Sequence, residues 1–162
     1  MTALPEIKIQ SVAVFCSNLE RSVSWYEKML GFKKVWQALA ETGQEAGEST
    51  HAVALLKGAD MYLELHECPG CAPQTKDSYW RTWGVKHFSL WMEEEELPVL
   101  VEYLKSHGVV FTVEHRWHAP YNYKPGGFVV CFFNDPDGNT IEIESRFTPG
   151  EGLYPGEEIF DM

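Results

Sequence analysis

Basic residues are scarce in this sequence. Thirteen Lys and Arg stand against 24 Asp and Glu over 162 residues, a formal net charge of -11. Nucleic acids and anionic membrane surfaces recruit proteins through basic footprints, so neither is expected as a partner. No apolar run approaches 18 residues, which excludes a spanning helix. The opening MTALPEIKIQ has no basic stretch leading into an apolar one, so no secretory signal is expected. Cysteine is limited to Cys16, Cys68, Cys71 and Cys131. Without a signal, reduced thiols and a cytoplasmic location are the expectation. Cys68 and Cys71 have C-x-x-C spacing, but a zinc ribbon needs a second such pair, and the chain has none. Pro69, Gly70, Ala72 and Pro73 mark that stretch as a loop rather than the start of a helix, where a redox dithiol would sit.

Aromatics, in contrast, are plentiful. Nine Phe, seven Tyr and six Trp within a 44% hydrophobic composition can build a core, so disorder is excluded for most of the chain. Leu19, Val23, Tyr26 and Leu30 recur on one face of a helix that Asn18 can cap and Gly31 can end. Leu97, Leu100, Val101 and Leu104 do the same in a second helix, with Pro98 in its first turn and Gly108 past its end. The acidic run Glu93 to Glu96 suits the positive end of that helix dipole. A short apolar strand precedes each helix, Val12 to Cys16 and Lys86 to Met92. Strand-like runs follow: His51 to Lys57 and Met61 to His66 in the first half; Val109 to Glu114, Gly127 to Phe133 and Thr140 to Ser145 in the second. Gln37 to Thr50 reads as a polar loop.

These halves are in register. Ser11 precedes Glu64 by 53 residues, and His87 precedes Glu142 by 55. The reading is therefore an α+β fold of two βαβββ modules, forming a curved mixed sheet around a central cleft. Its expected bounds are module one at about 7–68, a connection at 69–83, module two at about 84–146 and a tail at 147–162, all within a single domain. Alternation in Thr140 to Ser145 puts Ile141 and Ile143 on one face, and Glu142 and Glu144 on the other. A pseudo-twofold repeat would bring Ser11, Glu64, His87 and Glu142 toward one centre. One imidazole and two carboxylates, from His87, Glu64 and Glu142, suit a divalent metal ion (Zn, Ni, Co, Mn, Mg or Fe) with positions left for water or substrate.

The runs NLERSVSWYEKMLGF, YLELHE, GVKHFSL and FFNDPDGNTIEIE together resemble the vicinal oxygen chelate superfamily. That superfamily groups glyoxalase I, methylmalonyl-CoA epimerase, extradiol dioxygenases, and fosfomycin- and bleomycin-resistance proteins. The resemblance implies metal ligands at Glu64, His87 and Glu142, and pairing of modules within a chain or between chains, so a homodimer is expected. It also exposes a departure. The first ligand position, commonly His or Gln, falls on Ser11, whose neutral hydroxyl is a poor ligand for a transition metal. His66, which shares a strand face with Glu64, or His51 could be recruited instead.

Catalytic candidates are Glu142, Glu144 and His66, all able to move a proton beside a metal-held substrate. Substrate-binding candidates are Phe15 and Trp91, equivalent positions in the repeat, and Arg116, His118, Tyr121 and Tyr123 in a donor-rich run read as a loop. A metal-dependent lyase or isomerase of glyoxalase type is the leading reading, with a small apolar or aromatic oxygenated metabolite as substrate. A non-haem Fe(II) dioxygenase would need a second histidine. A metal-free small-molecule binding protein of bleomycin-resistance type is the third reading.

Overall fold

The computed structural model describes residues 9–38, 51–68, 70, 72–73, 75, 84–118 and 128–146. The chain divides into two units, Met1–Pro73 and Gln74–Met162, with the division inside the connection expected at 69–83. Strands β1 (Ser11–Cys16), β2 (Lys33–Ala38), β3 (Val53–Gly58) and β4 (Met61–Glu67) and helix α1 (Leu19–Leu30) belong to the first unit. Strands β5 (His87–Met92), β6 (Phe111–His118), β7 (Phe128–Asn134) and β8 (Thr140–Arg146) and helix α2 (Leu97–Ser106) belong to the second. Each unit is a βαβββ module with a four-stranded mixed sheet, in the orders β1-β4-β3-β2 and β5-β8-β7-β6.

In the first unit, α1 starts where the Asn18 side chain accepts the Arg21 N–H at 2.8 Å. It ends at Gly31, whose φ of 72° only glycine adopts freely. The Leu19 N–H donates to Glu67 Oε1 at 2.9 Å, tying the helix start to the end of β4. Leu19, Val23, Tyr26 and Met29 are buried on α1, and Ala54, Leu56, Leu63 and Leu65 are buried on the strands it meets. Each such large side chain contributes roughly 1.5–3 kcal/mol on burial. Phe32 is also buried, with its ring edge-on to Tyr26. It lies so close to Gly58 that a Cβ there would come within 2.8 Å of the ring.

Sheet register turns the repeat into geometry. In the parallel pair β1/β4, Ala13 stands opposite Glu64; in β5/β8, Ser89 stands opposite Glu142. Ser11 and His87 are each two residues earlier, so both carboxylates occupy the same place relative to their first strand. Residues 141–145 alternate as expected: Ile141, Ile143 and Ser145 are buried, while Glu142 and Glu144 face the other way, partly exposed. The β7–β8 turn is closed by Asp135, whose carboxylate accepts the N–H groups of Asp137 and Asn139 at 2.9 and 2.8 Å.

Three expectations need correction. The third strand that module one requires after its helix is β2 at Lys33–Ala38, where no strand-like run is read from the sequence, and it takes Gln37 and Ala38 out of the expected loop. Its first four residues are exposed on the sheet edge and include Lys33 and Lys34, so it lacks the alternating apolar signal of a buried strand. β6 runs to His118, placing Arg116 and His118 in a strand rather than a loop. Its register is irregular between Phe111 and Arg116, where strict period-2 reading fails. Cys68 is disulfide-bonded, against the expectation of reduced thiols; Cys16 and Cys131 are free and buried. Burial pushes the Cys131 thiol up to about 12, which leaves it unreactive at neutral pH. No helix among the described residues is long and apolar enough to cross a membrane. The tail expected at 147–162 lies outside the described residues.

Candidate metal and substrate site

Pairing across parallel β1 and β4 gives the first unit its polar face. Ser11, Ala13 and Phe15 on β1 stand beside Tyr62, Glu64 and His66 on β4. Opposite residues of neighbouring strands share a sheet side, so Ser11, Glu64, His66 and Phe15 face one way. The Ser11 hydroxyl donates to the Glu64 carboxylate. This bond is the main reason the Glu64 pKa lies below the ordinary 4.5; partial burial works against it, and the hydrogen bond and charge of His66 add to it. His66 Nε2 lies 3.4 Å from Glu64 Oε2. On its other side, His66 Nδ1 lies 2.7 Å from His51 Nε2. The Phe15 ring tilts against His66 at 6.0 Å.

The position that departs from the superfamily pattern therefore has a definite task. Ser11 steadies the anionic form of Glu64. Ser11→Ala is expected to raise the Glu64 pKa, read from its side-chain carboxyl carbon in an NMR pH titration. The sign follows from linkage. A carboxyl depressed in the folded state adds stability that is present above its unfolded pKa and lost as pH falls through its folded pKa. The variant should lose that contribution at a higher pH than the parent. An unchanged Glu64 titration would reject the Ser11 assignment.

The second unit repeats the motif with an imidazole at the strand start. His87 Nε2 lies 3.3 Å from Glu142 Oε2, and the Glu142 side chain is only 12% exposed. The Phe132 ring stands edge-on to His87 at 5.5 Å, because β7 places Phe132 directly opposite Glu142. Two residues further along the same face, Glu144 stands opposite Trp91 and Val130. Phe15 and Trp91 are 60% and 51% exposed, so each unit presents a large aromatic beside its polar pair.

Do these pairs fit a metal ion? Charge-assisted N–H···O bonds prefer about 2.7–2.9 Å, so 3.3 and 3.4 Å are long for that purpose. Two donors about 2.0–2.2 Å from a shared cation stand roughly 3.0–3.5 Å apart at common coordination angles. Both pairs meet that span, and imidazole with carboxylate is a suitable donor set. Among the described residues, no three His, Cys, Asp or Glu side chains converge on a single metal position; the groups meet as pairs.

Of the other candidates, Arg116 pairs with Val130 and His118 with Phe128 along the β6 backbone. Tyr121 and Tyr123 lie outside the described residues. Sequence reasoning missed Phe132. The hairpin register counted from Asn134 and Thr140 across the NDPDGN turn would have found it, since Phe132 then falls opposite Glu142.

The sequence profile of the Glyoxalase/Bleomycin resistance protein/Dioxygenase superfamily matches residues 8–143. The chain belongs to this superfamily. No curated protein sequence matches it. Among solved structures, a glyoxylase/bleomycin resistance protein/dioxygenase domain from Frankia is 22% identical, with a TM-score of 0.62 over 92% of this chain and 96% of that one. A glyoxalase family protein from Enterococcus faecalis is 21% identical, with a TM-score of 0.62 over 85% and 96%. A mutant of the genomically encoded fosfomycin resistance protein FosX from Listeria monocytogenes, complexed with Mn(II) and 1S,2S-dihydroxypropylphosphonic acid, is 15% identical, with a TM-score of 0.58 over 84% and 90%. At these identities the likeness is one of fold.

Proposed function

We propose that this chain is a metal-dependent enzyme of glyoxalase type, a lyase or isomerase that moves a proton on a small apolar or aromatic oxygenated metabolite. The observation that carries the reading is the His87–Glu142 pair, spaced for a shared cation, with Glu144 next on the same face. His87 and Glu142 would hold the ion, and the superfamily resemblance adds Glu64. A bound divalent ion would polarise a neighbouring carbonyl or hydroxycarbonyl oxygen and lower the barrier to losing the adjacent proton. Glu142 is the proposed proton acceptor, and Glu144 and His66 are the alternates. A carboxylate beside a cation is a weakened base, so Glu142 acts as base if substrate loosens its hold on the ion, or if the ion would lower the substrate's barrier to proton loss more than it weakens the base. Phe15 and Trp91 are the proposed apolar walls. The acidic net charge disfavours a highly anionic substrate. Homodimerisation belongs to the same proposal, and sedimentation equilibrium tests it.

Incubation with Mn²⁺ and a panel of aryl-substituted α-hydroxyketones in D₂O tests the reaction. Deuterium should enter the carbon beside the carbonyl, and Glu142→Gln should abolish the exchange. If Glu144→Gln or His66→Ala removes exchange while Glu142→Gln keeps it, Glu142 is a ligand only. Oxygen consumption with no exchange would replace this reading with the dioxygenase. That alternative draws on one observation: His66 lies beside Glu64, and recruitment of a second histidine is what such a site would require. Tight binding of an aromatic ligand with no metal dependence would favour the binding protein.

A further inference from the structure

We propose that Trp36, turned onto the Glu64 face of the first sheet by a bulge at Val35, is a specificity residue that holds the aryl group of the substrate over Leu55. The inference deepens the reading above and rests on it in taking this face as one that meets the substrate.

The strand register carries the argument. Lys33 and Lys34 pair with Lys57 and Leu56, but Trp36 pairs with Leu55, so Val35 is an extra residue on β2. An even register would put Val35 opposite Leu55 and Trp36 opposite Ala54. Ala54 is fully buried on the side of the sheet that meets α1. A shift of one residue exchanges the two faces of a strand, so the bulge carries Trp36 from the α1 side to the Glu64 side. Bonds on either side hold the distortion in place. The Lys34 N–H donates to Glu27 Oε1 of α1 at 3.0 Å, and Lys34 Nζ donates to Gln37 Oε1 at 2.8 Å.

One row then crosses the whole sheet. Trp36, Leu55, Glu64 and Ala13 stand opposite one another on β2, β3, β4 and β1. Neighbouring strands lie about 4.8 Å apart, which puts Leu55 about 5 Å and Trp36 about 10 Å from Glu64 at the backbone. A phenyl ring lying on Leu55 meets the Trp36 indole along its outer edge. A hydroxyl near the other end of the same molecule reaches the Glu64 carboxylate, whose side chain is 34% exposed and accepts hydrogen bonds. The spacing suits a ring joined directly to the oxygenated carbons. Trp36 is 54% exposed, so a ring packed against it removes indole and ligand surface from water together. Phe15 lies on β1, the opposite edge of the sheet, with its ring tilted against His66. Trp36 adds an aromatic wall on the β2 edge.

Titration of the full chain with 2-hydroxyacetophenone and, separately, with hydroxyacetone provides the test, read from protein NMR. The two ligands share the hydroxyketone and differ in the ring. The first should shift the Trp36 indole N–H and the Leu55 methyl signals, and the second should not. Trp36→Ala should weaken 2-hydroxyacetophenone about tenfold or more and leave hydroxyacetone unchanged. Trp36→Phe keeps a ring and should lose no more than about threefold, which guards against a folding defect. No binding of 2-hydroxyacetophenone by the parent, full affinity in Trp36→Ala, or equal losses in both variants would overturn the inference. Altered sedimentation of Trp36→Ala with unchanged ligand affinity would also overturn it and make Trp36 a contact between copies. Deuterium exchange separates this inference from the proposed function. Exchange that is indifferent to Trp36 leaves the enzyme standing without this wall; ring binding at Trp36 with no exchange keeps the wall and removes the enzyme.

Discussion

His87→Ala is expected to weaken divalent metal binding on the order of a hundredfold while leaving the fold intact. The magnitude follows from position. Even outer-shell partners of a metal site are worth about 10- to 100-fold in affinity, and a direct ligand should match the upper end. Folding should survive because His87 is the first residue of β5, with its side chain 36% exposed. The β5–β8 ladder runs through backbone groups that alanine keeps. What is lost is the imidazole 3.3 Å from Glu142 and its edge contact with Phe132. Isothermal titration with Mn²⁺ measures the affinity, and circular dichroism checks the fold. Phe132→Leu separates the two contacts, since it removes the ring and spares His87 and Glu142; it should cost far less affinity. Unchanged Mn²⁺ binding in His87→Ala would remove His87 from the site and, with it, the observation on which the proposed enzyme rests.

The residues that sequence reading placed well share one property: their periodicity survives into the sheet. Ile141 and Ile143 against Glu142 and Glu144 is a strict alternation in a strand paired on both sides, so face could be assigned from spacing alone. Both helices were legible through their apolar stripes and their Asn18, Gly31, Pro98 and Gly108 signals. β2 and β6 were harder for physical reasons. An edge strand is partly solvated and need not alternate, and β6 carries register breaks that shift its faces. Glu64 and Glu142 were readable as matching sheet positions because nearly equal spacings, 53 residues from Ser11 and 55 from His87, imply the same place in each module. The pairing of His66 with His51 was not. It joins residues 15 apart across the β3–β4 hairpin, and ring-nitrogen contacts depend on rotamers that spacing does not encode. The task of Ser11 was hidden similarly: by residue type it reads as a missing ligand, whereas its contact makes it a donor to Glu64.

Asp135→Ala is expected to destabilise the second unit by about 3 kcal/mol, and to lower metal affinity without touching a metal-binding group. Asp135 is 5% exposed. Its Oδ1 accepts the N–H groups of Asp137 and Asn139 at 2.9 and 2.8 Å, and its Oδ2 accepts Asn139 Nδ2 at 2.8 Å. Hydrogen bonds to a charged group are worth roughly 1.5–3 kcal/mol each, and donors left unsatisfied in a buried turn add a cost of their own. Part of that loss is recovered where water reaches the turn, which brings the expected total to about 3 kcal/mol. The backbone alone cannot replace these bonds. Gly138 already sits at a φ of 85°, and its N–H is committed to the Asp135 carbonyl at 3.1 Å. Asp135→Asn should cost only about 1 kcal/mol, because an amide oxygen can still accept both backbone donors and a rotated Asn139 amide can meet the new NH₂. Urea unfolding measures the difference between the two variants. The link to the site is register. This turn sets which β7 residue faces Glu142, and Phe132, the residue that does, also contacts His87. Loosening the turn should therefore weaken Mn²⁺ binding in Asp135→Ala more than in Asp135→Asn. Equal stability of the two variants would show that the carboxylate does not hold the turn. Unequal stability with equal metal affinity would show that β8 keeps its register without it.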